Sequence, residues 1–369
     1  MDFSIVSSTF DALRIPPPAR LTLLDAATLA SAHVPPFPPD IPALILGIDS
    51  KELALRVREV LLAMYPATHG IVWVESGKWN SSTSLRAREE RELGELENFA
   101  FSGSSCLYVP ALGEGTSFES FAEIVAHLRA PNGCPWDREQ THESLRKHLL
   151  EESYEAISAI DAGDFAHMRE EFGDLLLQIV LHAQIAKEEQ QFNISQVIQG
   201  IHSKIVRRHP HVFGDLKLDG VDDVLANWEK LKEEERGKKK DGKGLLDGVP
   251  LALPALSQAQ EYQDRAARVG FDWNEIDGVL DKLKEEIEEI KHAESDFELA
   301  SEIGDLFFVL VNFARWKNVD AESVLRGTNA KFKKRFAYVE QGAKKQGRNL
   351  SELSLEEMES LWQEAKRRE

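Results

Sequence analysis

Two stretches of the chain match each other closely, EEFGDLLLQIVLHA at Glu170–Ala183 and SEIGDLFFVLVNFA at Ser301–Ala314. Aligned without a gap, they place Gly173–Asp174 on Gly304–Asp305, with a matched glutamate upstream and a long apolar run downstream. Helical periodicity dominates the sequence around both stretches. The pair therefore predicts one helical unit that is present twice.

Two further blocks repeat on either side of this pair. LLEESYEAI at Leu149–Ile157 corresponds to LKEEIEEI at Leu283–Ile290, and GIHSKIVRR at Gly200–Arg208 corresponds to GTNAKFKKR at Gly327–Arg335. The three blocks keep their order, and only the loops between them shorten. The period is too long for a solenoid repeat, so we predict a duplicated all-α domain.

The first part of the chain has a different composition. It carries most of the prolines and two short apolar runs bounded by Pro or Gly, at Ile41–Ile48 and Gly70–Glu75, which are typical of buried strands. Glu52–Tyr65 between them has helical periodicity. This alternation predicts a small α/β segment.

We predict a mainly α protein in four parts. Residues 1–115 form the α/β segment, residues 118–231 and 250–369 form two helical domains, and residues 232–249 form a linker. The linker includes KEEERGKKKDGKG at Lys232–Gly244, which has charge and glycine but no apolar face.

Composition narrows the class of protein. The chain has 369 residues, with 44 Lys and Arg against 63 Asp and Glu, for a formal charge of −19. This balance argues against a duplex-DNA binder, although a nucleotide can enter an acidic site with a divalent cation. The best membrane-span candidate, Leu306–Ala314, is about half the required ~18 residues. The two cysteines, Cys106 and Cys134, are compatible with a reducing cytosol. From the charge, the short apolar runs and the cysteine count together, we expect a cytoplasmic protein that contacts neither nucleic acid nor membrane.

The repeated blocks carry paired carboxylates. Residues three apart share a helix face, so each copy brings two acidic pairs on consecutive helices. Packing four like charges is costly unless a cation neutralises them, and oxygen ligands favour Mg²⁺, with Mn²⁺ as a substitute. The predicted metal ligands are Glu152, Glu155, Glu171 and Asp174 in the first copy, and Glu286, Glu289, Glu302 and Asp305 in the second.

The third repeated block adds positive charge. Lys204, Arg207 and Arg208 share one helical face, as do Lys331, Lys334 and Arg335. A single such cluster is more often a surface patch, but here basic residues accompany the carboxylates twice. Cations beside a metal-loaded acidic site suit a polyphosphate.

The sequence resembles the MazG family of nucleoside triphosphate pyrophosphohydrolases in its duplicated form, over about residues 118–369. The motifs that carry the resemblance are GCPWDREQTHESL (Gly133–Leu145), EESYE (Glu151–Glu155), EFGD (Glu171–Asp174), RRHPHVFGD (Arg207–Asp215), VGFDW (Val269–Trp273), the second EExxE and ExxD, and NAKFKKRF (Asn329–Phe336).

The resemblance implies an all-α, obligately dimeric enzyme that converts a nucleoside triphosphate into the monophosphate and pyrophosphate with Mg²⁺. Glu151 and Glu285 would orient a second metal or the attacking water, and could accept the proton of that water. In the first copy Lys204 and Arg208 would contact the substrate, although His202 stands where the second copy has asparagine. The family's nucleotide contacts in the second copy map onto Lys282, Asn329, Lys331, Arg335 and Trp362.

The N-terminal segment resembles the back half of a tetrapyrrole-methylase-like domain. The resemblance rests on Phe10–Ala30, the Ile41–Ile48 strand, Tyr65–Glu75 and Leu96–Leu112. Methylase-type sites rely on Gly-rich turns, and no GxGxG-like stretch precedes Gly47. We therefore expect no S-adenosylmethionine binding by this segment.

Two other functions compete with hydrolysis. The repeats could sense nucleotides with little turnover, which the loss of one ligand per site would favour; all eight carboxylates are kept. An acidic helical scaffold does not explain why acids and bases repeat together. Base preference cannot be read, because it depends on hydrogen-bonding groups in a pocket that the sequence does not define.

Overall fold

The computed structural model describes residues 4–75, 87–101, 105–237 and 244–368. The chain divides into two compact units, residues 1–204 and 205–369. The division falls inside one helix, so the compact units do not coincide with the domain boundaries predicted above, which remain predictions. The prediction of a mainly helical protein with a small N-terminal α/β region is confirmed.

The first unit begins with a five-stranded mixed sheet. Its strands are β1 (Thr22–Asp25), β2 (Ala43–Leu46), β3 (Gly70–Glu75), β4 (Ala87–Glu92) and β5 (Ser105–Val109), and its helices are α1 (Ser4–Leu13), α2 (Ala26–Ala30) and α3 (Lys51–Leu62). The spatial order is β1-β2-β5-β3-β4. Only β1 and β2 are parallel; the other neighbours are antiparallel. The predicted strands at Ile41–Ile48 and Gly70–Glu75 contain β2 and β3.

Both faces of this sheet are covered. Ile45, Trp73 and Leu107 pack with Val57 and Leu61 of α3 in one fully buried cluster. The alternate strand residues, such as Leu44 and Val74, pack on the opposite face against Phe10 and Leu13 of α1. This inside–outside alternation follows from the period of two along a strand. The sheet therefore has its own core.

The first helical repeat starts in the same unit. Its helices are α4 (Phe118–Leu128), α5 (Pro135–Glu139), α6 (His142–Ala162), α7 (Phe165–Glu188) and α8 (Ile194–Arg208). The α6–α7 hairpin turns at Gly163, which has φ 64°, a left-handed conformation that glycine adopts without steric strain. Asp164 then caps α7 by accepting hydrogen bonds from the next backbone amides.

The second unit contains the rest of the helices. They are α9 (Pro210–Phe213), α10 (Gly220–Gly237), α11 (Ala255–Arg268), α12 (Ile276–His292), α13 (Asp296–Trp316), α14 (Ala321–Lys345) and α15 (Leu355–Arg367). The α12–α13 hairpin repeats the arrangement of α6–α7, and Ser295 caps α13. Helix α10 continues to Gly237, so the first residues of the predicted linker are helical; residues 238–243 lie outside the described residues. None of the described helices is both long and apolar enough to cross a lipid bilayer.

Candidate metal and nucleotide sites

The α6–α7 hairpin brings the first set of acidic residues together. Glu152, Glu155 and Glu171 each offer a carboxylate oxygen within 4.8 Å of the others. The first two face the same way because they are three residues apart on α6, and α7 supplies the third. Asp174 lies one turn further along α7 and is close enough to raise the pKa of Glu152. Asp174 is thus outside the trio of the first copy but within electrostatic reach of it.

The α12–α13 hairpin builds the second site with a different trio. Here Glu286, Glu302 and Asp305 place oxygens within 4.8 Å of one another. Glu289 is outside this trio but raises the pKa of Glu302 through its negative charge. That these residues ligate a metal remains a prediction.

In each site, the pKa of one glutamate is raised by its surroundings. The pKa of Glu152 is raised first by loss of hydration and then by the charges of Asp174, Glu155 and Glu171. The pKa of Glu302 is raised for the same reasons, with Glu289, Asp305 and Glu286 as the neighbouring charges. In both sites, the neighbouring carboxylates therefore add to the effect of lost hydration.

One carboxylate in each site is buried and incompletely bonded. Glu171 is 6% exposed and Glu286 is 3% exposed. In each of them one oxygen, Oε2, is buried without a hydrogen-bond partner. An unpaired buried carboxylate oxygen is costly, and a divalent cation would satisfy it. The residues present therefore fit an oxygen-coordinated Mg²⁺ or Mn²⁺ ion.

The other oxygen of each buried glutamate is held by a basic side chain four residues upstream. His167 Nε2 lies 2.7 Å from Glu171 Oε1, and Lys282 Nζ lies 2.8 Å from Glu286 Oε1. His167 was not predicted. Its spacing of i,i+4 from the predicted ligand Glu171 is the signal that could have found it.

The predicted water-orienting glutamates lie on the exposed side of the hairpins. Glu151 is within 3.3 Å of both Lys147 Nζ and His148 Nδ1. Glu285 lies 2.6 Å from Lys282 Nζ. Both carboxylates are accessible to water, which a group that accepts a proton from a water molecule requires.

The structure separates the predicted nucleotide contacts of the second copy into two groups. Lys282 lies among the carboxylates, with its Nζ atom also 3.9 Å from Glu289. Its hydrogen bonds to Glu285 and Glu286 raise its pKa. Arg335 of α14 lies over the ring of Trp362 of α15, with its Cζ atom 5.6 Å from the ring centroid. Asn329 and Lys331 are exposed on α14.

The first copy shows a matching pair of arginine and tryptophan. Arg208 lies over the ring of Trp228, at 5.2 Å from the centroid, while Lys204 and His202 are exposed on α8. Trp228 was not predicted. A signal was present, because both Trp228 and Trp362 are followed four residues later by lysine near the end of their copies.

Comparison with known proteins agrees with this geometry. The sequence model described as "MazG nucleotide pyrophosphohydrolase domain" matches residues 140–213 and 276–339, the two regions that contain the acidic hairpins. The chain is 46% identical to the nucleoside triphosphate pyrophosphohydrolase/pyrophosphatase MazG of Thermotoga maritima over 68% of this chain and 96% of that protein. It is 44% identical to the nucleoside triphosphate pyrophosphohydrolase of Escherichia coli K12 over 67% of this chain and 95% of that protein.

A third relative extends over the N-terminal segment. The uncharacterized protein YabN of Bacillus subtilis is 40% identical over 99% of this chain and 75% of its own length.

The chain therefore belongs to the MazG family of nucleotide pyrophosphohydrolases, and its MazG domain is duplicated. The tetrapyrrole-methylase-like resemblance of the N-terminal segment remains a prediction.

Proposed function

We propose that the chain hydrolyses nucleoside triphosphates between the α- and β-phosphates and releases the nucleoside monophosphate and pyrophosphate, with Mg²⁺ or Mn²⁺ as the metal. The observation that carries this proposal is that one member of each acidic cluster, Glu171 or Glu286, has a buried carboxylate oxygen without a hydrogen-bond partner. The named activity of the two pyrophosphohydrolase relatives supports the same reaction.

Each group at the site has a distinct task. A divalent cation held by the four carboxylates of a copy would act as a Lewis acid on the phosphate oxygens and lower the pKa of a bound water. Glu285 or Glu151 accepts the proton of the attacking water. Lys331 and Arg335 bind the phosphates and balance the charge that develops on them, and Trp362 contacts the nucleotide.

Assembly from more than one copy is part of the proposal. The hairpins expose large apolar side chains that would be solvated in a monomer, including Phe172 and Ile179 on α7 and Phe307 and Phe308 on α13. Apolar patches of this kind mark interaction sites. They support the expected homo-oligomer, a dimer or higher.

The products test the reaction directly. With Mg²⁺ and a panel of ribo- and deoxyribonucleoside triphosphates, we expect equal amounts of monophosphate and pyrophosphate, resolved by ³¹P nuclear magnetic resonance. Chelation of the metal should stop the reaction. Release of diphosphate and orthophosphate would contradict the proposal, and binding without any product would favour nucleotide sensing instead.

The raised carboxyl pKa values predict a pH-dependent effect of metal on stability. A raised pKa in the folded state means that protonation stabilises the fold, so this stability is present at low pH and is lost as the pH rises through the raised value. At neutral pH the repelling acids therefore destabilise the metal-free protein. We expect Mn²⁺ to raise the melting temperature clearly at about pH 7.5 and much less at about pH 5, where protons compete for the ligands.

Differential scanning calorimetry measures this effect. The control is the double variant Glu171→Gln, Glu286→Gln, which lacks the two buried charges and should lose most of the shift. An equal shift at both pH values, or an undiminished shift in the double variant, would place the bound metal elsewhere.

A further inference from the structure

One carboxylate in the second unit holds two neighbouring guanidinium groups. Glu235 of α10 accepts hydrogen bonds from Arg207 through Nε at 2.9 Å and Nη2 at 2.5 Å. It also accepts them from Arg208 through Nε at 3.2 Å and Nη2 at 2.6 Å. The side chain of Arg208 is 12% exposed and that of Glu235 is 24% exposed, so water screens this contact less than an open surface pair.

The two arginines also keep Glu235 ionised. They lower its pKa to about 2, with the hydrogen bond from Arg208 as the largest cause. The carboxylate therefore carries its negative charge throughout the neutral pH range. Glu235 offers the arginines a permanent anionic partner.

Helix α10 makes a second contact with Arg208, through the aromatic ring of Trp228. Trp228 lies seven residues before Glu235, about two helical turns, so the ring and the carboxylate lie on the same face of α10. The guanidinium of Arg208 lies 5.2 Å from the centroid of this ring. The aromatic contact recurs in the second copy between Arg335 and Trp362. Glu369, which aligns with Glu235, lies outside the described residues, so the inference concerns the first copy.

We propose that Glu235 takes the place of a phosphate oxyanion on Arg207 and Arg208 and thereby sets the affinity of the first copy for a triphosphate. This inference rests on the proposed reaction and on the expectation that Lys204 and Arg208 of the first copy contact its substrate. A guanidinium binds a carboxylate and a phosphate through the same paired N–H donors. A triphosphate must therefore displace Glu235 before it can use both arginines, and it enters a site where one positive charge is already neutralised.

The test measures binding to the first copy in the full chain. Lys331→Ala with Arg335→Ala removes two phosphate-binding cations of the second copy and serves as the background. Isothermal titration calorimetry follows an adenosine triphosphate analogue with a methylene bridge between the α- and β-phosphates, in the presence of Mg²⁺. Adding Glu235→Gln should tighten the remaining binding by about fivefold or more. Asp222→Asn makes the same change of charge at an exposed position of α10 and should leave the affinity unchanged.

A third variant tests whether the gain in affinity comes from freeing Arg208 or from a change of fold. Adding Arg208→Ala to Glu235→Gln should abolish the gain in affinity, and all variants should keep a cooperative melting transition. Unchanged, weaker or absent binding in the Glu235→Gln variant overturns the proposal, and so does a gain that survives the loss of Arg208. Product analysis on the unmodified chain, whose second copy is intact, tests the proposed reaction separately from this result.

Discussion

We expect Glu286→Gln to lower nucleoside triphosphate turnover by about 100-fold or more, with a much smaller loss for Glu152→Gln at the matching position of the first copy. Glu286 is 3% exposed, has a buried oxygen without a hydrogen-bond partner, and belongs to the acidic cluster of the second copy. Replacing it with glutamine preserves the shape and removes the negative charge that would hold a divalent cation. The fold should survive, because the substitution also relieves repulsion among like charges.

The expected difference between the copies rests on one residue of the nucleotide site. The second copy has Asn329 on α14 where the first has His202, and the resemblance to the MazG family favours asparagine there. We therefore predict that the second copy is the stronger catalyst, and the same ranking is expected for Glu289→Gln against Glu155→Gln.

Steady-state turnover with Mg²⁺ compares these variants. Glu288→Gln is the matched control, because Glu288 is exposed on the same helix and bonds Lys291. It should retain normal turnover. Loss of activity in Glu152→Gln with normal activity in Glu286→Gln would reverse the assignment of the stronger copy.

The second large effect concerns the N-terminal sheet. We expect Trp73→Ala to destabilise this region by about 3–5 kcal/mol, the usual cost of removing a large aromatic side chain from a core. Trp73 is 2% exposed, is stacked on Phe99 at 5.2 Å between ring centroids, and contacts Phe101 edge-on. We also expect hydrolysis to persist, because every predicted site residue lies beyond residue 118.

Calorimetric melting and turnover are measured on the same samples. Trp136→Ala is the matched control, since Trp136 is 60% exposed, and it should change stability by about 1 kcal/mol or less. A chain shortened to begin near Thr116 should likewise keep its turnover, and the full chain should bind no S-adenosylmethionine at millimolar ligand. An unchanged melting profile for Trp73→Ala would contradict the packing argument. Loss of turnover in a shortened chain that stays folded would show that the helical domains need the sheet.

The N-terminal sheet shows where prediction from sequence ends. The runs that contain β2 and β3 were predicted as strands because they are short, apolar and bounded by Pro or Gly. β4 was not predicted, since AREERE carries the charges of an exposed edge rather than a buried strand. Nor does local sequence indicate that β5 inserts between β2 and β3. That order depends on pairings between residues far apart in the chain.

For the acidic sites too, the sequence predicted one feature and missed another. The spacing of the glutamates within EExxE and ExxD, repeated in both copies, predicted that carboxylates of consecutive helices converge, and three in each copy lie within 4.8 Å of one another. It did not predict which glutamate is buried. In the first copy this is Glu171 on the second helix of the hairpin, and in the second copy it is Glu286 on the first helix.

The sequence by itself therefore determined the duplicated helical domains and the faces on which acids and bases lie, because helical periodicity depends on residues only three or four positions apart. Tertiary structure alone decided which glutamate of each acidic cluster is buried, since burial depends on how each helix is rotated against its neighbours. It also decided that Arg208 contacts Trp228 and Glu235. These partners lie on a separate helix, and only the position of α10 beside Arg207 and Arg208 brings the charges within hydrogen-bond distance.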